Sequence, residues 1–221
     1  MTAGTIQKMT GKGFFITLEG VEGSGKTTQA ALVADALRAT GKRVTVTREP
    51  GGTRAGEAIR AIFLDPAVSL HAAAELLLVL ADRAQHVREK LKPALAAGEI
   101  VLSDRYSDST IAYQGYGRGL DLKLLDELNR LASDGARPDL TIVLDLPVET
   151  GLERTRARVR GDVRGPDRFE GEQVEFHRRV REGFQKIAHD EPGRVRIIDA
   201  TLSMAEITAR ITDTIVALVA A

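Results

Sequence analysis

The sequence predicts an α/β fold in which a five-stranded parallel sheet lies between two layers of helices. Short apolar runs rich in β-branched residues recur along the chain, and helix-length segments separate them. Apolar runs of this kind are typical of strands that are buried on both faces, as in a parallel sheet. Because such strands alternate with helices, the pattern indicates a doubly wound sheet of three layers.

The predicted elements follow one another in a regular order. The strands are expected at residues 14–19, 44–48, 100–103, 141–145 and 194–198. The helices are expected at residues 26–39, 55–64, 72–97, 148–159, 172–189 and 204–220, with a further pair within residues 107–133. Ser203 is predicted to cap the last helix, because a serine hydroxyl accepts a hydrogen bond from an unpaired amide of the first turn.

The chain is predicted to form a single domain. It has 221 residues, of which 43% are hydrophobic, and this is enough for one sizeable core. Residues 1–12 are expected to be a flexible N-terminal tail. Residues 13–221 are expected to form the domain, with a short arginine-rich lid at about residues 154–170.

Charge and composition argue against several roles. Lys+Arg and Asp+Glu each count 31, so the net charge gives no reason to expect binding to nucleic acid or to an anionic membrane. The first residues lack the apolar core of a secretory signal, and no apolar run reaches the roughly 18 residues of a membrane span. The chain has no cysteine, which is compatible with a reducing compartment. We therefore expect a cytoplasmic protein without a nucleic-acid or membrane partner.

A phosphate-binding motif follows the first predicted strand. Residues 20–28 read GVEGSGKTT and match the spacing GxxxxGK[ST], which defines the P-loop. Between a strand and a helix, such a loop directs backbone N–H groups and the positive end of the helix dipole at a polyphosphate. A glycine-rich turn that contains Lys-Thr by chance is the alternative, and the flanking strand and helix disfavour it. The cradle consists of Gly20, Val21, Glu22, Gly23, Ser24, Gly25, Lys26, Thr27 and Thr28.

Two residues of the P-loop are candidates for the chemistry itself. Lys26 is expected to follow the transferred phosphoryl group, and the hydroxyl of Thr27 is expected to bind Mg²⁺. A switch GTPase needs an NKxD-like tetrapeptide near a late strand, and none occurs, since the fourth strand ends in LDLPVET. A motor ATPase is ordinarily larger or carries a surface for a polymer. The P-loop itself occurs in all three classes, so it is the rest of the chain that favours a kinase of small molecules.

Two further strand ends carry residues that suit a second phosphate. The second strand ends at Arg48 in TREPGGT, and the third is followed by Asp104 and Arg105 in SDRYSDST. Ligands of open α/β sheets bind at the carboxyl edge of the strands, so these side chains should share a crevice with the P-loop. The two arginines predict an anionic acceptor, and Asp104 suits Mg²⁺. A structural ion pair is the alternative for either arginine.

An arginine-rich segment, RTRARVRGDVRGPDR, covers residues 154–168. Phosphoryl transfer needs positive charge around the moving group and exclusion of water, and a closing lid of arginines supplies both. For any single arginine, the alternative is a solvated helix end.

Taken together, the motifs resemble those of bacterial thymidylate kinase over about residues 14–200. The resemblance lies in the segments GVEGSGKTT, TREPGGT, ELLLVLADRAQHV, SDRYSDSTIAYQG, RPDLTIVLDL and DRFE, which occur in the family's order. It implies the MgATP-dependent phosphorylation of dTMP to dTDP in deoxythymidine nucleotide biosynthesis. It also implies a nucleoside-monophosphate-kinase fold with a lid, and a homodimer.

The resemblance also implies roles for single residues. Glu22 is expected to contact the sugar of the acceptor, Arg48 and Arg105 to hold its phosphate, and Asp104 to organise Mg²⁺ together with Thr27. Arg83 is expected to donate to the thymine ring. The remaining pocket residues are Val79, Ser109, Thr110, Tyr113 and Gln114.

Gly23 stands where some members of the family carry an arginine in the P-loop. The sequence therefore resembles the bacterial subgroup in which the lid supplies the catalytic arginine, and Arg156, Arg158, Arg160 and Arg164 are the candidates. The predicted catalytic residues are Lys26, Arg48, Arg105, Arg158 and Arg164.

Val79 departs from the family, which usually has Phe four residues before the base-reading arginine. A spacing of four places Val79 and Arg83 on one helical face. Valine offers no stacking surface, so our hypothesis is that acceptor affinity or pyrimidine selectivity is altered; a Val79→Phe variant tests it through the KM for dTMP. The alternative is that a neighbour such as Tyr113 or Phe63 fills the gap.

Two other functions remain open from the sequence alone. One is phosphorylation of another deoxynucleoside monophosphate by the same fold. The other is a catalytically silent nucleotide-binding module that signals through lid closure. The presence of two arginines for a second phosphate disfavours the silent module, because binding of ATP alone does not require them.

Overall fold

The computed structural model describes residues 12–160 and 167–220. Within these residues, five strands form one sheet in the order β2-β3-β1-β4-β5, and every neighbouring pair is parallel. The strands are β1 (Phe14–Glu19), β2 (Val44–Arg48), β3 (Ile100–Asp104), β4 (Leu140–Asp145) and β5 (Val195–Asp199). The predicted fold class is confirmed, and the strand bounds differ from the predicted ones by one residue at most at either end.

The helices lie between and after the strands. They are α1 (Lys26–Ala39), α2 (Arg54–Leu64), α3 (Ala72–His86), α4 (Lys92–Ala96), α5 (Ser107–Thr110), α6 (Leu122–Ser133), α7 (Val148–Val159), α8 (Val174–Asp190) and α9 (Met204–Ala220). In the part of the chain described, none of them combines the length and the apolar character that a membrane span requires. Ser203 caps α9 as predicted, since its Oγ accepts from the amide of Glu206, whose carboxylate accepts from the amide of Ser203.

The core lies on both faces of the central strands. Ile16 and Leu18 of β1, Leu102 of β3, and Ile142 and Leu144 of β4 are fully buried. Burial on both faces explains why these strands read as continuous apolar runs in the sequence.

The predicted helix at residues 72–97 is not one regular helix. A π-helical turn, Val87–Leu91, separates α3 from α4. Pro93 lies in the first turn of α4, and because proline has no amide hydrogen and its ring crowds the carbonyl four residues earlier, a regular α-helix cannot continue through this point. The wider turn accommodates it.

A second π-helical segment, Ile111–Gly117, follows α5. The pair predicted within residues 107–133 is therefore α5 with this segment, followed by α6. π-Helical insertions often lie at functional sites, and this one carries the predicted pocket residues Tyr113 and Gln114.

A buried ion pair links α5 to the start of β5. The guanidinium of Arg194 donates to both carboxylate oxygens of Asp108, at 2.7 Å and 3.0 Å. Thr141 of β4 also donates to Asp108, at 2.9 Å, and shares a 2.8 Å hydrogen bond with Thr17 of β1. The network therefore connects α5, β1, β4 and the start of β5, and the sequence pattern did not predict it.

We expect Asp108→Ala to lower the free energy of unfolding by about 3 kcal/mol, because the largely buried guanidinium of Arg194 would keep, among the described residues, only Glu191, a partly exposed carboxylate, as its charged partner. Urea denaturation monitored by circular dichroism measures this change. Asp126→Ala is the matched control, since Asp126 forms an exposed pair with Arg130, and its cost is expected to be less than about 1 kcal/mol. Equal costs for the two variants would show that the buried network adds no more to stability than an exposed ion pair does.

Candidate active site

The P-loop lies between β1 and α1 in the predicted conformation. Gly20, Gly23 and Gly25 have φ angles of 137°, 72° and 91°, in the region that favours glycine. Helix α1 begins at Lys26, and Gly25 precedes it without a side-chain cap. The first amides of α1 are therefore available to an anion.

Gly23 packs against the backbone of α7, the helix that leads towards the predicted lid. A Cβ atom at Gly23 would lie 2.2 Å from the carbonyl oxygen of Gly151, and a Cβ atom at Gly151 would lie 2.4 Å from the carbonyl oxygen of Glu22. Neither position tolerates a side chain without a shift of the backbone. This contact is a physical reason why the P-loop of this chain carries no arginine at position 23.

Lys26 is buried and its ammonium group lies within the loop. Its Nζ donates to the carbonyl oxygens of Gly20 and Val21, both at 2.8 Å, and to Oγ of Ser24 at 3.2 Å. Burial and the nearby charge of Arg105 lower the pKa of Lys26 to about 8. The described contacts thus give Gly20, Val21 and Ser24 a role in holding the lysine.

Thr27 and Asp104 form the oxygen-rich corner of the site. The hydroxyl of Thr27, in the first turn of α1, donates to the carboxylate of Asp104 at the end of β3. Among the described residues there is no cluster of three or more His, Cys, Asp or Glu side chains that could hold a metal. A hydroxyl and a carboxylate are ligands that Mg²⁺ accepts alongside phosphate oxygens, so this corner fits the predicted ion.

A cavity of about 340 Å³ opens beside the P-loop. Its volume suits a small ligand. Every described residue that was predicted to bind the acceptor lines it, together with part of the P-loop. The predicted residues in its lining are Glu22, Gly23, Gly25, Lys26, Thr27, Thr28, Arg48, Val79, Arg83, Asp104, Arg105, Ser109, Thr110, Tyr113, Gln114 and Arg158.

Arg105 lies at the centre of a charged network in this cavity. Its Nη2 donates to Oε1 of Glu22 at 3.0 Å and to the hydroxyl of Tyr113 at 2.9 Å, and that hydroxyl lies 2.6 Å from the same carboxylate oxygen. His177 of α8 contacts Oε2 of Glu22 at 3.1 Å. Burial acts to raise the pKa of Glu22, but the hydrogen bond from His177 and the charges of Arg105 and Lys26 hold it below its usual range.

The backbone of Arg105 is fixed in an uncommon conformation. Its φ angle is 74°, a value that few residues other than glycine adopt. Its amide donates to the carbonyl of Leu18 at 3.0 Å, and its carbonyl accepts from Oγ of Ser103 at 2.8 Å. The next amide, that of Tyr106, donates to Oε1 of Glu19 at 2.8 Å. These contacts direct the Arg105 side chain towards the P-loop.

Glu19 is a buried carboxyl group that the sequence analysis did not single out. It accepts from the amide of Tyr106 and, through Oε2, from Oγ of Ser109 at 2.6 Å. Burial and the nearby charge of Asp108 raise the pKa of Glu19 to about 8.

Arg83 is 1% exposed and is held by a second buried carboxylate. Its Nε donates to Oε2 of Glu49 at 2.9 Å, and its Nη2 donates to Thr110 at 3.0 Å. His86 lies 2.8 Å from Oε1 of Glu49. The sequence analysis missed Glu49 and His86 as partners of Arg83. Both could have been found, because Glu49 is adjacent to Arg48 in TREPGGT and His86 lies three residues after Arg83 on one helix.

Arg48 occupies the outer rim of the cavity. Its guanidinium donates to both carboxylate oxygens of Glu57 at 2.9 Å, and both side chains are about half exposed. Arg60, which the sequence analysis did not predict, also lines the cavity and donates to the carbonyl of Pro50 at 2.9 Å. Arg48, Arg60 and Arg105 therefore line this end of the cavity together.

The lid arginines are only partly within the described residues. All three of Arg156, Arg158 and Arg160 are exposed, and of these Arg158 lines the cavity and pairs with Glu170. Arg164, predicted to be catalytic, lies outside the described residues, as do residues 161–166 in general.

The comparisons with known proteins agree with this geometry. The thymidylate kinase family model matches residues 18–211. The chain belongs to the thymidylate kinase family. A thymidylate kinase of Trichlorobacter lovleyi is 52% identical over 204 residues, which are 91% of this chain and 96% of that protein. A thymidylate kinase of a Synechococcus strain is 54% identical over 199 residues, or 89% of this chain and 91% of that protein.

A solved structure supports the same assignment. The crystal structure of thymidylate kinase from Ehrlichia chaffeensis superposes with a TM-score of 0.73 at 36% identity and covers 92% of this chain and 98% of that one. The resemblance recognised in the sequence is therefore confirmed. Membership of the thymidylate kinase family also confirms that the chain is a nucleoside-monophosphate kinase.

The buried carboxyl of Glu19 predicts a pH dependence of stability. Its pKa in the folded chain, about 8, lies above the ordinary value of 4.5, so the native state retains a proton that the unfolded state loses. This contribution to stability is complete below about pH 4.5 and is lost as the pH rises through about 8. We therefore expect the unfolding free energy of the wild type to fall relative to that of Glu19→Gln between about pH 5 and pH 8.5.

Urea denaturation at several pH values within that window measures this difference. Glu127→Gln, a change at an exposed position of α6, is the control and should run parallel to the wild type. A constant difference between the wild type and Glu19→Gln across the window would mean that Glu19 does not titrate there.

Proposed function

We propose that this chain transfers the γ-phosphoryl group of ATP to dTMP through the cavity between the P-loop, β3 and α3. Phosphorylation of dTMP to dTDP is the function of the thymidylate kinase family, and it is the function of this chain. The observation that carries the proposed site is that donor and acceptor residues, predicted separately, line one cavity. The roles below are proposals for individual residues.

The donor side is proposed to consist of the P-loop and Lys26. The loop amides and the α1 terminus would bind the phosphates of ATP, and Lys26 would leave its carbonyl partners to follow the γ-phosphoryl group. Its three present contacts are all with the loop itself, so the ammonium group already lies where the phosphates are expected. No general base is required, because phosphoryl transfer depends mainly on positioning and on charge stabilisation.

The acceptor side is proposed to use two arginines for the phosphate and a third for the base. Arg105 is rigid, since Glu22 and Tyr113 hold its guanidinium, while Arg48 at the rim is free to exchange Glu57 for a phosphate. Arg83 would donate to the thymine ring from its position between Glu49 and Thr110. Glu22 would accept from the sugar hydroxyl. Arg158, which lines the cavity, would be the lid arginine that stabilises charge on the transferring phosphoryl group.

Mg²⁺ is the proposed cofactor. Thr27 and Asp104 would hold it together with the phosphate oxygens, and when bound it neutralises charge on the phosphates of ATP. The hydrogen bond between these two side chains supports the assignment, since it places both oxygens in one corner of the site.

A homodimer in the cytoplasm remains our prediction. Leu77 on α3 and Leu131 on α6 are 62% and 78% exposed, and large apolar side chains on two adjacent helices are typical of a subunit interface. Sedimentation velocity of the full chain is expected to give twice the monomer mass. Leu131→Glu should shift the distribution towards monomer, and a wild type that sediments as a monomer at micromolar concentration would contradict the dimer.

The proposed site predicts that Lys26→Ala lowers kcat with dTMP by about 100- to 1,000-fold, because one preorganised charge on the transferring group is lost. Initial rates with MgATP measure this loss, and Lys123→Ala, at an exposed position of α6, is the control. The same assay with dTMP, dUMP, TMP with ribose, dCMP, dAMP and dGMP tests the acceptor.

The outcomes separate the alternatives. The highest kcat/KM is expected for dTMP. A higher value for another monophosphate would leave the phosphate chemistry intact and would overturn the assignment of the base pocket. Tight binding of ATP without turnover of any monophosphate would indicate a silent module.

A further inference from the structure

Two phenylalanine rings form an aromatic surface beside the base-reading arginine. Phe63 of α2 and Phe169, at the C-terminal end of the predicted lid, both line the cavity that also contains Arg83 and Val79. The ring centroids of Phe63 and Phe169 are 5.1 Å apart. Tyr113 meets Phe169 edge-on, with centroids 5.6 Å apart. The part of the cavity near Val79 is therefore aromatic, although residue 79 itself is not.

Arg168 fixes the two rings relative to each other. Its guanidinium carbon lies 4.5 Å from the ring centroid of Phe169 and 5.2 Å from that of Phe63. Its backbone amide donates to the carbonyl of Leu64 at 3.0 Å, and its Nε donates to the carbonyl of Phe63 at 2.9 Å. Through Nη1 it also donates to Glu75, a fully buried carboxylate of α3, at 2.7 Å.

These contacts have two consequences. The guanidinium packs on both rings while the rings themselves line the cavity, so the surface is supported from outside the ligand space. Phe169 is also joined to α2 and α3 through its neighbour Arg168. Residues 168 and 169, at the C-terminal end of the predicted lid, are thereby joined to the wall of the acceptor pocket.

We propose that Phe63 and Phe169 are the aromatic surface against which the pyrimidine ring of the acceptor packs, and that they supply the contact which Val79 cannot. This inference rests on the proposed function, in which Arg83 donates to the same ring. Aromatic contact with a base does not depend on hydrogen bonding, so it adds affinity while Arg83 provides orientation.

An exclusively structural role for the two rings makes a different prediction. Phe63 and Phe169 belong to a buried aromatic cluster that continues to Phe176 and Phe184. If the rings only support the fold, their loss weakens every acceptor equally. If they contact the base, their loss weakens only acceptors that have a base.

The test compares two ligands by isothermal titration calorimetry. dTMP carries the base, and 2-deoxyribose 5-phosphate carries the same sugar phosphate without it. Phe63→Leu and Phe169→Leu are each expected to weaken binding of dTMP by about tenfold. Their affinity for 2-deoxyribose 5-phosphate is expected to change by less than about twofold. Phe184→Leu is the matched control, because Phe184 is buried in the same cluster without being among the described residues that line the cavity, and it should change neither affinity.

Two results would overturn the proposal. One is equal weakening of both ligands in the two variants. The other is an unchanged affinity for dTMP. Should a leucine variant fail to fold, nuclear Overhauser contacts in the wild-type complex provide the decision: contacts between the thymine methyl group and both phenylalanine rings are expected, and their absence contradicts the assignment.

Binding and turnover of dTMP by the wild-type protein also distinguish failure of this inference from failure of the proposed function. A wild-type protein that binds MgATP but neither binds nor phosphorylates dTMP would refute the acceptor and the aromatic contact together. A wild type that phosphorylates dTMP, with variants that bind it normally, would refute the aromatic contact alone.

Discussion

The parallel pairing of β1 with β3 is the constraint on which the site depends. Its register places Leu18 opposite Asp104, so the P-loop and the residues after β3 leave the sheet side by side. The amide of Arg105 then donates to the carbonyl of Leu18, and the hydroxyl of Thr27 reaches Asp104. A shift of this register by one residue would point every side chain of β3 to the opposite face. Donor and acceptor groups therefore meet because two buried apolar strands pair in one way.

Buried carboxylates hold the arginines of the site in place. Glu22 fixes Arg105, and Glu49 fixes Arg83, in both cases with little exposure to solvent. An arginine without such a partner would lose rotamer freedom when a ligand binds, whereas these side chains are already ordered. Arg48 differs, because its partner Glu57 is half exposed and the pair is worth little in water. The site thus combines fixed arginines inside with an exchangeable arginine at the rim.

Periodicity and motif spacing were sufficient to predict the fold, the P-loop and the residues at the strand ends, and the resemblance to thymidylate kinases supplied most of the other cavity residues. The central strands β1, β3 and β4 are buried on both faces, so their apolar runs are distinctive. The glycines of the P-loop have the φ angles that the motif requires. Contacts between residues distant in sequence could not be predicted in this way. Phe169 reaches Phe63, and His177 reaches Glu22, only after the sheet has brought their helices together. The interruption of the long helix at Val87–Leu91 was missed because the apolar pattern continues through Pro93.

The pairing of β1 with β3 is proposed to bring the donor and acceptor sites together, and a crystal structure of the chain with dTMP and a non-hydrolysable MgATP analogue tests this most directly. The account predicts the acceptor phosphate within hydrogen-bonding distance of Arg48 and Arg105, and the thymine ring between Arg83 and the rings of Phe63 and Phe169. The γ-phosphate analogue should lie against Lys26. Binding of dTMP outside this cavity, or with its base away from Arg83, would contradict the claim that the carboxyl ends of β1 and β3 bring the ATP site and the dTMP site together.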